Sequence, residues 1–472
     1  MTKNNSYFFC GIGGSGMLPL ATILAEQGAQ VAGSDRALDQ GRLAAKFESL
    51  RSKGMELFAQ DGSGLTSGDQ ILVASAAVED TVPDVSQANK LGCKRVTRAE
   101  LLAELFNGCP RSVAIGGTSG KSTVTGMIGW IAAEAGRDPT IMNGAVMKNF
   151  AGDDAPFASS RVGSGGLFVS EVDESDGSIA LFEPEVAVLN NISLDHKSLE
   201  ELRQLFGDFA KVAKRAVYNA DDNETRLLMA GLSLPDAISF GMEDGADFRA
   251  THVVEAPHSI RFNLVARGQS WQVGLQVPGK HNVMNALAAL AAADALGIAL
   301  SDAVPAIESF NGLARRFDIV GTANDITVID DFGHNPDKIA ATLNTMRAFP
   351  GRIIAFFQPH GYGPLKVMGQ ELAETFAEIL DPEDRVILCD PVYYGGTTDR
   401  SIGSESVVAA INDVGGMAEH IASREDCGKA IAELAKAGDR IVVMGARDDT
   451  LRSFAAGVLE QISKGDRQLL PN

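Results

Sequence analysis

Cysteine is scarce in this chain of 472 residues, which contains only five. They are Cys10, Cys93, Cys109, Cys389 and Cys427. The number is odd and no C-x-x-C pair occurs, so we expect a reduced protein of the cytoplasm rather than a disulfide framework. A basic segment before the first apolar strand is also missing, which argues against a secretory signal. No stretch reaches the apolar length of a membrane span.

Positive charge is the second deficit. The chain has 41 lysines and arginines against 61 aspartates and glutamates, which gives a formal net charge of -20 at pH 7. Such a surface repels nucleic acid and anionic membranes, so we expect neither as a partner. Small anionic ligands stay open, because a locally basic loop can overcome the field of the whole protein.

Apolar strands alternate with helical stretches along the chain, a pattern typical of α/β proteins with parallel sheets. We divide the chain into three segments, residues 1–108, 109–312 and 313–472. The first two meet at the linker "NGCPRS", residues 107–112. Polar stretches near 249–277 predict a small antiparallel patch. The alanine-rich stretch 281–297 predicts a long helix that Gly297 caps.

The stretch "CGIGGSGM", residues 10–17, is the first of two glycine-rich loops that follow an apolar strand. Its glycines fit the pattern G-x-G-x-x-G from Gly11 to Gly16, and Asp35 follows the next predicted strand. Backbone amides at such a helix start bind a diphosphate. A dinucleotide and a nucleotide-sugar carry the same diphosphate, so the pattern alone leaves both ligands open.

The second glycine-rich loop is "GGTSGKST", residues 116–123. Its amides can surround phosphates, Lys121 can reach the β- and γ-phosphates, and Ser122 can ligate Mg²⁺. The strict pattern requires glycine where Ile115 stands, so a plain strand–helix turn is the alternative. The Gly-Lys-Ser-Thr run between a strand and a helix favours a nucleoside triphosphate.

Polar residues also follow three other predicted strands. "SEVDESDGS" (170–178) carries four carboxylates, "NNISLDHKS" (190–198) carries Asp195 and His196, and "DDFGHNP" (330–336) carries Asp331 and His334. The carboxyl ends of parallel strands meet at the edge where α/β proteins bind ligands. Taken alone, an acidic surface loop, a structural histidine and a helix cap explain these groups. Beside a phosphate loop, Mg²⁺ coordination is favoured.

In this order the motifs resemble the Mur ligase family, ATP-dependent enzymes that build the peptide of bacterial cell-wall precursors. "GIGGSGM", "GSD" and "TRAELL" resemble the branch that uses UDP-N-acetylmuramate, and "GGTSGKST", "EVDESD", "DH", "GKHNVMNALAA", "RRF" and "DDFGHNP" follow in the family's order. The resemblance implies a three-domain α/β fold. A Rossmann-like UDP-sugar-binding domain spans 1–108, a P-loop ATPase-type domain 109–312, and a Rossmann-like amine-binding domain 313–472.

The resemblance further implies an ADP-forming ligase that uses ATP and Mg²⁺. The carboxylate of UDP-N-acetylmuramate becomes an acyl phosphate and then an amide, in peptidoglycan precursor synthesis. The residues implied for the UDP-sugar are Gly11, Gly13, Gly14, Ser15, Gly16, Ser34 and Asp35. Those implied for ATP are Gly117, Thr118, Ser119, Gly120, Lys121, Ser122, Thr123, Asn282, Asn285, Arg316 and Asp331. The implied catalytic groups are Lys121, Glu171, His196 and His334, with Ser122, Glu171 and His196 as Mg²⁺ ligands.

The amine is the least determined part of this implied reaction. L-Alanine leads, and the tripeptide L-alanyl-γ-D-glutamyl-meso-diaminopimelate of cell-wall recycling is the alternative. Ser119 stands where the alanine-adding type usually has histidine, and "FQPHGYGP" (357–364) lacks that type's arginines. His360, Lys366 and Arg447 are the candidates for holding the amine's carboxylate. Carbamylation of Lys211 and the oligomeric state, monomer or homodimer, stay open.

Two functions of other classes remain at this point. The first glycine loop with Asp35 also fits an NAD-dependent oxidoreductase, although this leaves Lys121 and the acidic loop without a role. A sensor that binds UDP-sugar and ATP without turnover is the third hypothesis. Phosphate release that depends on both sugar and amine separates a ligase from these alternatives.

Overall fold

The structure is a computed structural model that describes residues 5–75, 78–193, 197–392 and 400–465. Two compact units divide the chain: residues 1–254 with 260–312, and residues 313–472 with 255–259. Three sheets lie among the described residues, two in the first unit and one in the second. None of the described helices combines the length and the apolar character that a membrane span needs.

The first sheet is parallel, with strand order β3-β2-β1-β4-β5. Its elements are β1 Ser6–Cys10, α1 Met17–Glu26, β2 Gln30–Ser34, α2 Arg36–Asp39, α3 Ala44–Ser52, β3 Glu56–Phe58, β4 Gln70–Ala74, α4 Pro83–Leu91, β5 Lys94–Thr97 and α5 Arg98–Asn107. Cys10 pairs with Ser34 in register. The loop after β1 therefore lies beside the end of β2.

The second sheet has the order β15-β14-β13-β12-β11-β10-β6-β9-β7-β8. Its strands are β6 Arg111–Gly116, β7 Thr140–Met142, β8 Ser160–Arg161, β9 Leu167–Glu171, β10 Val186–Leu189, β11 Arg215–Asn219, β12 Ile238–Gly241, β13 Phe248–Ala256, β14 Ser259–Ala266 and β15 Gln269–Leu275. Its helices are α6 Lys121–Glu134, α7 Leu199–Val212, α8 Asn223–Leu232, α9 Lys280–Ala295 and α10 Leu300–Glu308, with a short 3₁₀ turn at Ser178–Leu181. The antiparallel pairing of β14 with β15 confirms the patch expected near 249–277.

Register in the second sheet brings three loops to one edge. Ile115 pairs with Glu171, and Gly116 pairs with Leu189. The segments that follow β6, β9 and β10 therefore emerge side by side, as parallel strands require. Helix α9 is buried on nearly every side, since its alanines let neighbouring elements approach closely, and Gly297 follows it at φ +72° as expected.

The first two sheets share one hydrophobic core. Helix α5 ends at Asn107, and only three residues separate it from β6. Phe106 on α5 is fully buried, with its ring centroid 5.6 Å from that of Phe168 and 5.3 Å from that of Phe182. The first segment thus contributes side chains to the packing of the second.

The third sheet has the order β16-β17-β21-β18-β19-β20, and only the β16–β17 pair is antiparallel. Its elements are β16 Asp318–Ala323, β17 Ile326–Asp331, α11 Pro336–Arg347, β18 Ile353–Gln358, α12 Tyr362–Ile379, β19 Arg385–Leu388, α13 Ser404–Asp413, β20 Ala418–His420, α14 Arg424–Leu434, β21 Arg440–Gly445 and α15 Thr450–Gly465. Asp331 pairs with Met444, and Gln358 pairs with Gly445. The loops after β17, β18 and β21 therefore share one edge.

Candidate active site

The first glycine loop is held by its own polar contacts. The amides of Gly11 and Ile12 donate to the Ser34 carbonyl. The Gly13 amide donates to Asp35 Oδ2 at 2.8 Å, and the Gly13 carbonyl accepts from Lys46 Nζ at 3.2 Å. The Gly13 peptide is therefore already engaged on both sides, and it shapes the loop rather than facing a ligand.

The start of α1 is the part of this loop that remains available to an anion. Ser15 is exposed, and the Ser15 and Gly16 amides have no hydrogen-bond acceptor among the described residues. Gly16 caps α1 without any side-chain hydrogen bond. Unpaired amides at a helix N-terminus bind phosphate, so the diphosphate prediction narrows to Ser15 and Gly16.

Two of the three polar residues expected to touch the UDP-sugar, Ser34 and Asp35, have partners within the protein. The Ser34 side chain is fully buried, and its hydroxyl donates to Asp84 Oδ2 at 2.5 Å. Asp35 caps α2 through the Ala37 amide while it accepts from Gly13. Burial raises the pKa of Asp84, although hydrogen bonds from Ser34 and from the Gly62 amide oppose this. Ser34 and Asp35 therefore hold the first glycine loop in place through contacts inside the protein.

The second glycine loop leads directly into α6, as predicted. Gly117 and Gly120 have φ values of +137° and +80°, a region that favours glycine. Lys121 Nζ donates to the Gly117 carbonyl and to Glu174 Oε2, both at 2.7 Å. The Glu174 side chain is only 6% exposed, so this ion pair is largely shielded from water. The lysine expected at the phosphates is therefore bonded to the acidic loop.

Side-chain amides from β10 and α9 support this loop. Asn190 Nδ2 donates to the Ser119 carbonyl at 2.8 Å, and Asn191 Oδ1 accepts from the Ser119 amide at 2.8 Å. The Asn190 amide also lies 3.3 Å from Asn285 Oδ1, and Asn285 in turn donates to Asn282 at 3.1 Å. Asn282 and Asn285, which were expected at ATP, are buried and linked to the loop through Asn190. Asn190 and Asn191 belong to the stretch 190–198, in which the motif analysis gave a role only to Asp195 and His196.

Thr118 and Thr123 frame the same loop. The Thr118 amide donates to the Asn191 carbonyl at 3.1 Å, and the Thr118 hydroxyl accepts from the Ser193 amide at 2.8 Å. Thr123 lies in the first turn of α6. These contacts join the phosphate loop to the segment after β10.

Oxygen donors that suit Mg²⁺ lie next to the loop. Ser122 Oγ donates to Glu171 Oε2 at 2.8 Å. A Cβ atom built on Gly144 would come within 2.2 Å of Glu171 Oε1, so the carboxylate fills the space that a side chain would take. A hydroxyl and a carboxylate beside a phosphate loop fit the ligands that Mg²⁺ prefers. His196, the third expected metal ligand, lies outside the described residues.

In the second unit, Asp331 has several internal partners. Its Oδ2 accepts from the Phe317 amide at 2.7 Å, and its Oδ1 accepts from the Gly333 amide and from the Thr342 hydroxyl. The side chain therefore holds the turn after β17. Arg316 stacks on Phe332, with 4.2 Å between the guanidinium carbon and the ring centroid.

The structure brings two of the expected histidines together. The ring centroids of His334 and His360 lie 5.3 Å apart, and His334 Nδ1 is 2.8 Å from the Phe332 carbonyl. Burial lowers the pKa of His334 to about 3, and burial together with the charges of Arg447 and Lys338 lowers the pKa of His360 to about 4. Both imidazoles are neutral at pH 7.

Arg447 and Lys366 are the other two candidates for the amine site, and Lys211 is the lysine considered for carbamylation. Arg447 is exposed in the left-handed region at φ +60°, two residues after the end of β21. Lys366 is exposed in the second turn of α12. Lys211, on α7, is exposed and lies 3.4 Å from Asp208 Oδ1. Of the three amine-site candidates, His360 and Arg447 are thus near enough to interact electrostatically.

Comparison with known proteins gives three family matches. The family described as "Mur ligase family, catalytic domain" matches residues 6–108, "Mur ligase middle domain" matches 115–293, and "Mur ligase, glutamate ligase domain" matches 315–447. A UDP-N-acetylmuramate--L-alanine ligase from Synechococcus sp. (strain JA-3-3Ab) is 34% identical over 97% of this chain and 88% of its own. One from Agrobacterium fabrum is also 34% identical, over 94% of each chain.

Solved structures show the same fold. The UDP-N-acetylmuramate-alanine ligase MurC of Thermotoga maritima has a TM-score of 0.81 at 24% identity, with 98% of this chain and 99% of that chain covered. A murein peptide ligase of Psychrobacter arcticus has a TM-score of 0.73 at 24% identity, with 97% and 99% covered. These matches leave the oxidoreductase alternative without support. With 34% identity to curated relatives over nearly its whole length, the chain belongs to the Mur ligase family and has its three-domain α/β fold.

Proposed function

We propose that this protein is an ATP-dependent, ADP-forming ligase that joins the carboxylate of UDP-N-acetylmuramate to L-alanine in peptidoglycan precursor synthesis. The observation that carries the proposal is the 34% identity, over 97% and 94% of the chain, to two relatives named UDP-N-acetylmuramate--L-alanine ligase. The substrates are cytoplasmic metabolites in such a pathway, so we also propose the cytoplasm as the site of action.

In this proposal each segment has its own ligand. The segment 1–108 binds the UDP-sugar, with its diphosphate at the start of α1. The segment 109–312 binds ATP at the loop before α6, and the segment 313–472 binds the amine. Support for the first two assignments comes from the unpaired amides of Ser15 and Gly16 and from the position of Lys121.

Lys121 acts first. Its ammonium donates to Glu174 and to the Gly117 carbonyl, and phosphate oxygens compete with both for the same three N–H donors. The sugar-linked carboxylate attacks the γ-phosphorus of ATP, ADP leaves, and an acyl phosphate results. A preorganised lysine favours this transfer because it neutralises the charge that develops on the phosphoryl oxygens.

Ser122 and Glu171 would hold Mg²⁺, and their oxygen donors 2.8 Å apart support this assignment. The metal supplies charge neutralisation on the phosphates when bound. His196 is proposed as a further ligand from the family resemblance alone. The buried amides of Asn190 and Asn285 keep the loop in the shape that Lys121 and Ser122 need.

The amine then attacks the acyl carbon, and phosphate leaves. His334 and His360 are poor bases for this step, because groups with pKa values of about 3 and about 4 hold protons too weakly to deprotonate an ammonium group. We therefore assign both to positioning through neutral hydrogen bonds. Arg447 is the proposed partner of the amine's carboxylate, since a guanidinium binds carboxylate with two parallel hydrogen bonds.

Phosphate release tests the proposal. Purified protein is given ATP, Mg²⁺ and UDP-N-acetylmuramate with L-alanine or with the tripeptide L-alanyl-γ-D-glutamyl-meso-diaminopimelate. Release that needs the sugar and L-alanine supports the proposal, and a higher kcat/KM with the tripeptide reverses the order of the amines. Binding of both nucleotides without release would instead make the protein a sensor.

A further inference from the structure

Arg98 lies between the first glycine-rich loop and the acidic loop 170–178, and it belongs to the stretch "TRAELL", from which no residue has yet been given a role. It is the first residue of α5, and Thr97 and Glu100 fix the start of that helix by a capping box. The side chain crosses to the first loop: a Cβ atom built on Gly16 would lie 2.9 Å from Arg98 Cδ and 3.3 Å from Arg98 Nε. The guanidinium therefore lies at the N-terminal end of α1.

The other side of Arg98 faces the acidic loop of the second segment. Its Nη2 lies 3.9 Å from Asp176 Oδ2. Burial acts to raise the pKa of the neighbouring Asp173, but hydrogen bonds from Ser175 and then the charges of Lys121 and Arg98 outweigh burial and lower this pKa. Lys121 in turn pairs with Glu174. From the start of α1 to the ATP loop, the charged groups are thus Arg98, then Asp176 and Glu174 of the acidic loop, and then Lys121.

The contact to Asp176 is too long to be a hydrogen bond, since charged pairs bond at about 2.7–2.9 Å. A guanidinium has five N–H donors, and among the described residues its one ion pair is this long contact. The Arg98 side chain is 24% exposed, so it is not fully closed off from solvent. Arg98 therefore has donors to offer to an anion bound at the start of α1.

We propose that Arg98 is a binding residue for the sugar nucleotide. When this ligand is bound, one of its anionic groups lies between the start of α1 and the acidic loop, and Arg98 contacts that group. This inference rests on the proposed function. The reaction must bring two anions together, a carboxylate and a triphosphate, and a cation between their sites reduces the repulsion. Bound ligand replaces Asp176 as the partner of the guanidinium.

The test compares Arg98→Ala and Arg98→Lys with Arg95→Ala. Arg95 is a matched control because it is an arginine of the preceding strand, paired with Asp80 at 2.6 Å and bonded to the Val78 carbonyl. Calorimetry measures the Kd of UDP-N-acetylmuramate and, separately, of a non-hydrolysable ATP analogue. We expect Arg98→Ala to weaken the sugar nucleotide by about tenfold or more, the loss of one charge-assisted contact. The Kd of the ATP analogue stays within about twofold, a readout that a general loss of structure would move.

Two further results decide the inference. Arg98→Lys keeps the charge and is expected to recover part of the affinity, and Gly16→Ala, whose Cβ displaces the Arg98 side chain, is expected to lose affinity in parallel. Sugar-nucleotide binding by Arg98→Ala that equals the wild type overturns the inference, as does an equal loss in Arg95→Ala. If the wild type itself binds no UDP-N-acetylmuramate, the proposed function fails and the inference with it.

Discussion

Gly144→Ala tests the metal site without replacing either of its proposed ligands Ser122 and Glu171. An added Cβ atom would lie 2.2 Å from Glu171 Oε1, whereas real Cβ contacts essentially never fall below 3.0 Å. The Glu171 carboxylate must therefore move by at least about 0.8 Å. Because it is the far end of a flexible side chain, and because Gly144 does not have a positive φ, this movement costs little stability.

The displacement of the Glu171 carboxylate is expected to lower the reaction rate rather than the stability. Displacement of a reacting or ligating group by about 1 Å can cost about 10²-fold in rate. We expect Gly144→Ala to lower kcat by about 10-fold to 10²-fold and to raise the Mg²⁺ concentration at half-maximal rate. The assay is phosphate release over a Mg²⁺ titration, with the melting temperature measured on the same sample.

Gly152→Ala is the control, since a Cβ atom there meets nothing within 4 Å. It should match the wild type in both rate and melting temperature. A folded Gly144→Ala protein with an unchanged Mg²⁺ dependence would falsify the assignment of Glu171 to the metal.

Three other outcomes are expected. Lys121→Ala should reduce kcat/KM by about 10²–10³, the usual loss for one preorganised charge contact, and wild-type turnover would rule out this ATP site. The same change leaves the Glu174 carboxylate without its ion-pair partner and so lowers the melting temperature, which should rise again when Glu174→Gln removes that charge. His360 has a folded pKa of about 4 against an ordinary value of 6.5, so its contribution to stability is complete above pH 6.5 and is lost as pH falls towards 4. The unfolding free energy of His360→Gln, from urea titrations at pH 5 and 7.5, should depend less on pH than that of the wild type, and an unchanged slope contradicts the argument. Arg447→Ala should raise the amine KM by about tenfold while leaving the KM of ATP unchanged, and an unchanged amine KM removes Arg447 from the amine site.

Local patterns carried much of the fold and part of the site. Glycines between an apolar strand and a helix predicted both strand–loop–helix turns, because the left-handed backbone at Gly117 and Gly120 is a local requirement, whereas phosphate binding by these loops stays a prediction. The same locality explains the helix before Gly297 and the antiparallel patch at β14 and β15. The alternation of strands and helices predicted the α/β class, whereas the bounds of the three segments stay predictions.

Partners that are distant in sequence could not be predicted. Lys46 reaches the Gly13 carbonyl from 33 residues away, and Asp84 binds Ser34 across 50. No motif marks either residue, because only the folded chain brings them to the loop.

The sequence also could not show which polar groups already have partners. Asp35 and Asp331 follow strands at ligand-binding edges, yet their oxygens accept from backbone amides of the loops they stabilise. The sequence does not distinguish an aspartate that caps a turn from one that binds a ribose. The assignments to ligands therefore remain predictions, and His196 remains one from the family alone.

The packing of Phe106 against Phe168 and Phe182 has a consequence for how such proteins can be recombined. A chimera that exchanges residues 1–108 with a relative would exchange half of a shared core, so its junction divides matched aromatic surfaces. A working exchange of this segment therefore has to keep, at the end of α5, a side chain that fits against Phe168 and Phe182.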